Sequence, residues 1–430
     1  MKTIKIVKPE KPLKGKIQLP SSKSISNRLL IMQALADEKF SIGNPSKADD
    51  TIILQKLLGK IEASAGLHEA VEIDCSNAGT DLRFLTALLA IKPGRWVLTG
   101  TDRMKLRPVE ELVESLKQLG ASIEYLGNFG FPPLLIKGSK LNSGSLHINT
   151  GVSSQFVSAM LMIGPCLPEG LVLDLKGDMV SGPYIEMTVK LMKECGIKIR
   201  KWKHKIRIEP GKYSCNPFNV ESDWSAASFW YQAAALTEKI NLEFPGFSEK
   251  SLQGDSVMAS AFNVFGVQTE FITAKGKRAS GREQGSAIRL TKQKSSLEGL
   301  YYDFTQHPDL ALPMIATCAA LGLRGRFEGL KSLVIKESDR VRSLTTELQK
   351  LGCKLNLTKD DFPVIEIQPS RLITRPDVVI DTYRDHRMAM TFAMLALKTG
   401  SIRIADPDIV AKSYPGFWDD MEAVGFELKR

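Results

Sequence analysis

The chain has 430 residues, 43% of them hydrophobic and 25% charged, which is the composition of a globular protein with more than one domain. Its N-terminus lacks the apolar core of a secretory signal, and no apolar run is long enough to span a bilayer, so we expect a cytoplasmic protein without membrane association. The formal net charge of +10 predicts an acidic partner, either nucleic acid or a small polyanionic substrate.

Two kinds of predicted helix alternate along the chain. The first is hydrophobic almost all round, which places it in a core; its members are LLIMQALA, LRFLTALLAI, FVSAMLMIGP, SAASFWYQAAAL, ALPMIATCAALG and MAMTFAMLAL. The second is amphipathic and ends at a glycine that precedes a short strand; these glycines are Gly59, Gly120, Gly196, Gly266, Gly352 and Gly425. Their near-regular spacing predicts an α/β protein built from six copies of one unit, three to a domain, with the buried helices inside and the strands outside.

The densest basic stretch is IKIRKWKHKIRIE at 197–209, which alternates Ile with Lys or Arg. This alternation predicts an edge hairpin with a solvated basic face and argues against a nucleic-acid interface. No two cysteines lie within four residues of one another, so we expect reduced, buried thiols; they are Cys75, Cys166, Cys195, Cys215, Cys318 and Cys353. The five histidines form no metal-ligand pair, and no metal site is predicted.

Polar and basic residues gather at the starts of the predicted helices, in the segments SSKSISNR, SNAGTDLR, DRMKLRP, VSSQ, HPD, KESDR, RDHR and KSYP. A cation is mildly unfavourable at the positive end of a helix, but it suits a site where backbone N–H groups and hydroxyls bind an anion. We therefore expect two opposed clusters of unneutralised cations that bind strong anions; the cations are Lys23, Arg28, Arg107, Lys336, Arg340, Arg387 and Lys412. Asp309 and Glu337 stand among them as candidate acid–base groups, or alternatively as ordinary carboxylates at helix starts.

Nine ordered motifs closely resemble the 5-enolpyruvylshikimate-3-phosphate synthase (3-phosphoshikimate 1-carboxyvinyltransferase) family of enolpyruvyl transferases. They are SKSISNR, NAGT with a following Arg, DRMK.RP, SSQF.SA..M, PYI..T..LM, PD.A, IKESDR, DHRMAM and AKSYP. The resemblance implies a two-domain inside-out α/β barrel with three repeated units per domain, buried parallel helices and sheets outside. It places one domain at 1–20 with 221–430, the other at 21–220, and the active site in the cleft between them.

The family transfers the carboxyvinyl group of phosphoenolpyruvate to the 5-hydroxyl of shikimate 3-phosphate and releases phosphate, without metal or organic cofactor. By resemblance, the residues that bind shikimate 3-phosphate are Lys23, Ser24, Arg28, Ser153, Ser154, Gln155, Ser181, Tyr184, Asp309 and Lys336. Those that bind phosphoenolpyruvate are Lys23, Asn77, Gly79, Arg107, Gln155, Arg340, Arg387 and Lys412. Asp309 matches the base for the 5-hydroxyl, and Glu337 with Lys23 matches the groups that deliver a proton to the methylene carbon. A monomer and inhibition by glyphosate are also expected.

Four places depart from the commonest family pattern, and they put the strength of substrate binding in question; they are Gly182, Ser332, Phe84 and the pair Asp81-Leu82.

Two other functions compete with this interpretation. A sister enzyme transfers the same group to UDP-N-acetylglucosamine, but the loop TDRMKLRP lacks the Cys expected there. An RNA-binding or RNA-end-processing protein would suit the basic charge, but the chain lacks base-stacking aromatics.

Overall fold

A computed structural model describes residues 2–64, 66–149, 151, 153–177, 179–273, 286–358, 362–373 and 378–430. The chain folds into two units. The split unit comprises Met1–Ser22 and Glu221–Arg430, and the continuous unit comprises Lys23–Val220. Among the residues described, no helix is both long enough and apolar enough to cross a membrane.

The described residues form thirteen α-helices. In chain order they are α1 (Lys23–Leu35), α2 (Asp49–Ala63), α3 (Gly79–Ile91), α4 (Glu110–Gln118), α5 (Ser154–Ile163), α6 (Gly182–Glu194), α7 (Trp224–Leu236), α8 (Met258–Ala261), α9 (Ala311–Ala320), α10 (Arg340–Lys350), α11 (His386–Met394), α12 (Ala396–Thr399) and α13 (Phe417–Ala423).

The same residues form twenty-two strands. They are β1 (Thr3–Val7), β2 (Leu13–Lys16), β3 (Ile42–Gly43), β4 (Ala70–Asp74), β5 (Gly94–Thr99), β6 (Ser122–Tyr125), β7 (Leu134–Gly138), β8 (Gly144–Asn149), β9 (Leu171–Lys176), β10 (Ile199–Trp202), β11 (Lys205–Ile208), β12 (Phe218–Asn219), β13 (Ile240–Pro245), β14 (Val267–Ile272), β15 (Ala287–Lys292), β16 (Gly299–Asp303), β17 (Arg324–Glu328), β18 (Lys354–Leu357), β19 (Ile365–Gln368), β20 (Val379–Ile380), β21 (Ser401–Ala405) and β22 (Glu427–Lys429).

Five four-stranded sheets repeat one pairing pattern, in which a parallel pair is followed by two antiparallel pairs. The continuous unit has the orders β4-β5-β7-β6 and β8-β9-β11-β10. The split unit has β2-β13-β15-β14, β16-β17-β19-β18 and β20-β21-β1-β22. Each sheet therefore belongs to one repeated unit of the chain.

The hydrophobic helices form the core of each unit, as their sequences predict. In the continuous unit α1, α3 and α5 pack against one another, and in the split unit α7, α9 and α11 do so. In α9 every residue from Ala311 to Ala319 is buried. Burial of an apolar side chain of Leu or Phe size contributes about 1.5–3 kcal/mol, so these helices supply a large share of the stability.

The first repeat differs from the other five. Gly120, Gly196, Gly266, Gly352 and Gly425 have φ between 78° and 104°, the left-handed conformation predicted for them. Gly59 instead lies inside α2, so the expected helix end at this glycine is wrong. Leu54, Leu57 and Ile61 continue a buried stripe past it, and a glycine inside a helix costs only about 1 kcal/mol relative to alanine. This repeat keeps only the parallel pair of β3 and β12.

The predicted basic hairpin is confirmed, because β10 and β11 pair antiparallel and β10 is an edge strand.

The expectation of reduced, buried thiols is wrong at three cysteines. Cys195 at the end of α6 forms a disulfide with Cys215, since the peptide N–H of Ser214 donates to the carbonyl of Cys195 and brings the two segments together. Cys166 is exposed, whereas Cys75, Cys318 and Cys353 are buried free thiols.

Candidate active site

Lys23, the first residue of α1, forms an ion pair in the continuous unit. Its ammonium lies 2.8 Å from the carboxylate of Asp50 at the start of α2, and the Asp50 side chain is only 5% exposed. The expectation that this cation is unneutralised is therefore wrong. Asp50 was not singled out from the sequence, although two adjacent aspartates at a helix start could have indicated it.

Arg28 lies one turn further along α1 and is almost fully buried. Its Nε donates to the hydroxyl of Thr188 at 2.7 Å, and its Nη1 donates to the carbonyl of Ser24 at 2.9 Å. The rings of Phe84 and Tyr184 lie 5.3 and 6.0 Å from its guanidinium carbon. Burial lowers the pKa of Arg28 to about 10, so it stays cationic at neutral pH, and among the described residues no carboxylate pairs with it. Its charge is available to an anion.

The starts of α5 and α6 meet α1 at the same place. The hydroxyl of Ser153 caps α5 by accepting from the N–H of Gln155, and Ser154 follows in the first turn. Ser181 precedes α6 with a left-handed φ of 58°. The hydroxyl of Thr188 on α6 donates to Ser158 on α5 at 2.9 Å. Arg28 donates to the Ser24 carbonyl on α1, to Ser158 on α5 and to the Tyr184 carbonyl on α6, so the N-terminal halves of these three helices meet at one buried guanidinium. Helix starts with serine hydroxyls beside such a cation suit a phosphate group.

Gly79, the first residue of α3, allows a side chain to approach its backbone. A Cβ atom at this position would lie 2.4 Å from Nη1 of Arg107, closer than any side chain tolerates, so only glycine leaves the guanidinium where it is. Gln155 reaches the same helix start, where its amide donates to the hydroxyl of Thr80 at 3.1 Å. Three residues that the resemblance assigns to phosphoenolpyruvate are thus neighbours at the start of α3.

Asp81 and Phe84, two of the departures from the family pattern, have structural partners in the same region. The Asp81 carboxylate accepts a hydrogen bond from the amide of Asn27 at 2.7 Å, which joins α1 to α3. Phe84 packs its ring against Arg28. Asp81 therefore links α1 to α3, and Phe84 covers the guanidinium of Arg28.

In the split unit, Arg340 is at the centre of a buried charge network. Its Nε lies 2.7 Å from Asp385, its Nη2 2.9 Å from Glu337 and its Nη1 3.2 Å from Asp309. The Arg340 side chain is 2% exposed. Burial alone would lower the pKa of this guanidinium, but the three carboxylates outweigh it and hold the pKa above its usual value. The two predicted acid–base groups, Asp309 and Glu337, are thus brought together on one arginine.

Asp309 also binds a second arginine. Nη2 of Arg387 lies 3.0 Å from its carboxylate, and Nη1 donates to its backbone carbonyl at 3.1 Å. Arg387 stands in the first turn of α11, and Asp309 lies in the 3-10 turn Pro308–Leu310 that precedes α9. The expectation of unneutralised charge is therefore wrong for Arg340 and Arg387 as well, since carboxylates of the same unit accept from both.

Asp385 and Asp255 were missed by the sequence analysis. Asp385 caps α11 by accepting from the N–H of Arg387 at 2.9 Å, and it is completely buried. Asp255 is buried near Asp309, and burial followed by the charge of Asp309 raises its pKa to about 6. The signal for Asp385 was present in the segment RDHR, because an aspartate before a hydrophobic helix is a typical cap. Asp255 had no comparable signal.

Two lysines complete the candidate set in the split unit. Lys412 is 6% exposed and ends the 3-10 segment Pro407–Lys412, just before the turn that leads to α13. Lys336 is half-buried next to Glu337, in the segment that leads into α10. Both lysines lie in segments that lead into a helix, as expected from the sequence.

Each unit thus collects helix starts that carry cations, hydroxyls and, in the split unit, adjacent carboxylates. Such a site can hold phosphate and carboxylate groups and can move a proton. The fold and these residues define an α/β protein with sites suited to small, strongly anionic molecules.

Comparison with known proteins gives the family. The model of the family EPSP synthase (3-phosphoshikimate 1-carboxyvinyltransferase) matches residues 7–421. A 3-phosphoshikimate 1-carboxyvinyltransferase of Bacteroides fragilis is 45% identical, and one of Aliivibrio fischeri is 35% identical. The first match covers 97% of both chains, and the second covers 97% of this chain and 98% of the relative. The structure of EPSP synthase from Acinetobacter baumannii covers 100% of both chains with a TM-score of 0.77 at 21% identity, which shows a shared fold.

The chain therefore belongs to the EPSP synthase family. The α/β fold implied by the resemblance is confirmed by the structural match. The assignment of individual residues to the two substrates stays a prediction.

Proposed function

We propose that this protein transfers the enolpyruvyl group of phosphoenolpyruvate to the 5-hydroxyl of shikimate 3-phosphate and releases phosphate. The observation that carries the proposal is the pair of carboxylates, Asp309 and Glu337, on the guanidinium of Arg340. A transfer to an enol phosphate needs one group that accepts the hydroxyl proton and another that protonates carbon, beside cations that hold the donor. Family membership over nearly the whole chain supports the same reaction.

The proposed reaction is an addition followed by an elimination. Asp309 accepts the proton of the 5-hydroxyl of shikimate 3-phosphate. As the proton leaves, the hydroxyl oxygen forms a bond to C2 of phosphoenolpyruvate. Glu337, with Lys23, delivers a proton to the methylene carbon C3. Cationic character at C2 is stabilised by the two carboxylates. The resulting tetrahedral intermediate breaks its C2–O bond to phosphate and returns a proton from C3 to the Glu337 carboxylate, which restores the carbon–carbon double bond as an enol ether. The proton on Asp309 passes to the departing phosphate.

Arg340 and Arg387 would bind the anionic donor by exchanging partners. Both guanidiniums are already hydrogen-bonded to Asp309, at 3.2 and 3.0 Å. A phosphate or carboxylate of the donor would compete with Asp309 for these N–H groups, because it forms charge-assisted hydrogen bonds of the same kind. Loss of these bonds would leave the Asp309 carboxylate able to accept a proton. Donor binding and activation of the base would then be one event.

Arg28 with Ser24, Ser153, Ser154, Ser181 and Tyr184 would bind the phosphate of shikimate 3-phosphate in the continuous unit. Gln155 and Lys23 would contact both substrates. From the split unit, Lys336 and Asp309 would contact the acceptor, and Lys412 would contact the donor. Asn77, Gly79 and Arg107 would complete the donor site. We further propose a cytoplasmic monomer as the working form.

The test is phosphate release by the full chain with phosphoenolpyruvate and shikimate 3-phosphate, each omitted in turn. Release that requires both substrates supports the proposal. A parallel reaction replaces shikimate 3-phosphate with UDP-N-acetylglucosamine. Release with the sugar nucleotide alone would assign the chain to the sister reaction, and no release with either acceptor would refute enolpyruvyl transfer.

A further inference from the structure

The loop before α11 holds two consecutive residues in the left-handed conformation. Tyr383 has φ 51° and Arg384 has φ 54°, and neither is glycine. Side chains with a Cβ disfavour this region, so such residues persist only where their surroundings enforce the conformation. A specific contact is therefore expected to hold this loop.

Glu347 on α10 provides that contact. Its carboxylate accepts from the hydroxyl of Tyr383 at 2.7 Å and from the backbone N–H of Asp381 at 3.1 Å. The ammonium of Lys350 lies 2.7 Å away, and the Glu347 side chain is completely buried. Partial burial and then the hydrogen bond to Glu347 raise the pKa of Tyr383, so its hydroxyl remains a donor. One buried carboxylate thus holds the loop by both its backbone and a side chain.

The loop leads directly into the charge network of the split unit. The N–H of Asp385 donates to the carbonyl of Thr382 at 2.8 Å, and the carboxylate of Asp385 lies 2.7 Å from Nε of Arg340. Arg340 and Glu347 stand on the same helix, α10, two turns apart. The helix therefore binds the segment 381–385 at both ends, through Glu347 at one end and through Arg340 at the other.

We propose that Glu347 is a positioning residue for the anionic donor, an inference that rests on the proposed function. By enforcing the left-handed turn at Tyr383 and Arg384, it sets the position of Asp385. Asp385 in turn fixes the guanidinium of Arg340 and caps the helix start that carries Arg387. Among the residues that the structure describes, the hydrogen-bond and ion-pair partners of Glu347 are Asp381, Tyr383 and Lys350, none of which is assigned to a substrate.

The variant Glu347→Gln tests this role with little change of volume. A glutamine is uncharged and has one acceptor oxygen, so it loses the ion pair with Lys350 and turns its NH₂ toward at least one of the donors that Glu347 serves. We expect the KM for phosphoenolpyruvate to rise about tenfold, while kcat and the KM for shikimate 3-phosphate change little. If this variant does not fold, Tyr383→Phe removes one of the same bonds and is expected to shift the same constant.

A second substitution separates positioning from general stability. Arg384 is exposed and is not a candidate ligand, and glycine adopts its left-handed φ without strain. Adding Arg384→Gly to Glu347→Gln should return the KM for phosphoenolpyruvate toward the wild-type value. The matched control is Tyr231→Phe, which removes a buried hydroxyl bonded to Thr269 and should lower the melting temperature without changing that KM.

An unchanged KM in Glu347→Gln, or a raised KM that Arg384→Gly does not lower, would overturn the positioning role. Both results require a wild-type protein that releases phosphate with both substrates. A wild-type protein without that activity refutes the proposed function instead, so the two failures are distinguishable.

Discussion

Asp309 accepts hydrogen bonds from two arginines, and the substitution that tests its role must leave these bonds as intact as possible. An alanine would remove both ion pairs, whereas Asp309→Asn keeps the size and an acceptor oxygen but removes the basic group. We expect turnover to fall about 10²–10⁴-fold, the usual contribution of a positioned acid–base group. Affinity for shikimate 3-phosphate should largely remain, because Arg28 and the serines are untouched.

Steady-state phosphate release and titration calorimetry measure the two effects separately. The control is Asp408→Asn, an exposed aspartate paired with Lys2, which should leave both unchanged. Near wild-type turnover in Asp309→Asn would show that Asp309 is not the base.

Asp255 should make stability depend on pH. Its pKa is raised to about 6 in the folded protein, against about 3.9 in an unfolded chain, so the folded state holds the proton more tightly. Its stabilising contribution is therefore complete below pH 4 and is lost as the pH rises through 6. Relative to Asp255→Asn, the wild-type free energy of unfolding should fall by about 2 kcal/mol between pH 4.5 and pH 7.5. Urea unfolding between pH 4.5 and 7.5 measures it, and parallel curves for the two proteins would contradict the assignment.

At the scale of single elements, the start of α3 requires glycine at position 79, because the Arg107 side chain lies against its backbone. A Cβ at Gly79 would lie 2.4 Å from the guanidinium of Arg107, so Gly79→Ala must displace that side chain. We expect a higher KM for phosphoenolpyruvate and weaker inhibition by glyphosate, which competes with the donor in many members of the family. Inhibition constants of both proteins decide the point, and equal constants would remove Gly79 from the donor site.

Gly59 provides the control for this substitution. It lies inside α2, and apart from its chain neighbours and the backbone of α2 itself, no atom of the described residues lies within 4 Å of a Cβ built there. Gly59→Ala should therefore stabilise the protein by about 0.5–1 kcal/mol and leave inhibition by glyphosate unchanged. A change in inhibition there would mean that the assay responds to stability.

The elements were predictable where one local rule decides them. The buried helices follow from hydrophobicity on all sides, and five repeats follow from a glycine that ends its helix. Gly59 was misassigned because sequence alone does not show that Ile61 continues the buried stripe of α2. The ion pairs of Lys23 and Arg340 were also missed, since Asp50 and Asp385 are brought near them by packing of separate helices. The disulfide of Cys195 with Cys215 depends on contacts of the same long-range kind.

At the scale of the whole molecule, both units carry candidate ligands for shikimate 3-phosphate. If one ligand contacts both, a substitution in either unit weakens its binding. Ser24→Ala in the continuous unit should reduce affinity less than tenfold, and Lys336→Met in the split unit about tenfold or more, because bonds to charged groups are stronger. Titration calorimetry measures both affinities. The matched control is Lys354→Met, which changes an exposed lysine on β18. Unchanged affinity in Lys336→Met would mean that Lys336 of the split unit does not bind shikimate 3-phosphate.

The last sheet of the split unit joins opposite ends of the chain. Thr3–Val7 pairs with Ser401–Ala405 on one side and with Glu427–Lys429 on the other. During synthesis on a ribosome, this sheet is completed only after β22 has been made. By then, every strand of the continuous unit has already been synthesised. Contacts so distant in sequence form slowly. In refolding followed by pulsed hydrogen exchange, amides of β5 and β9 should therefore gain protection before those of β1. Equal protection times would mean that the two units fold as one.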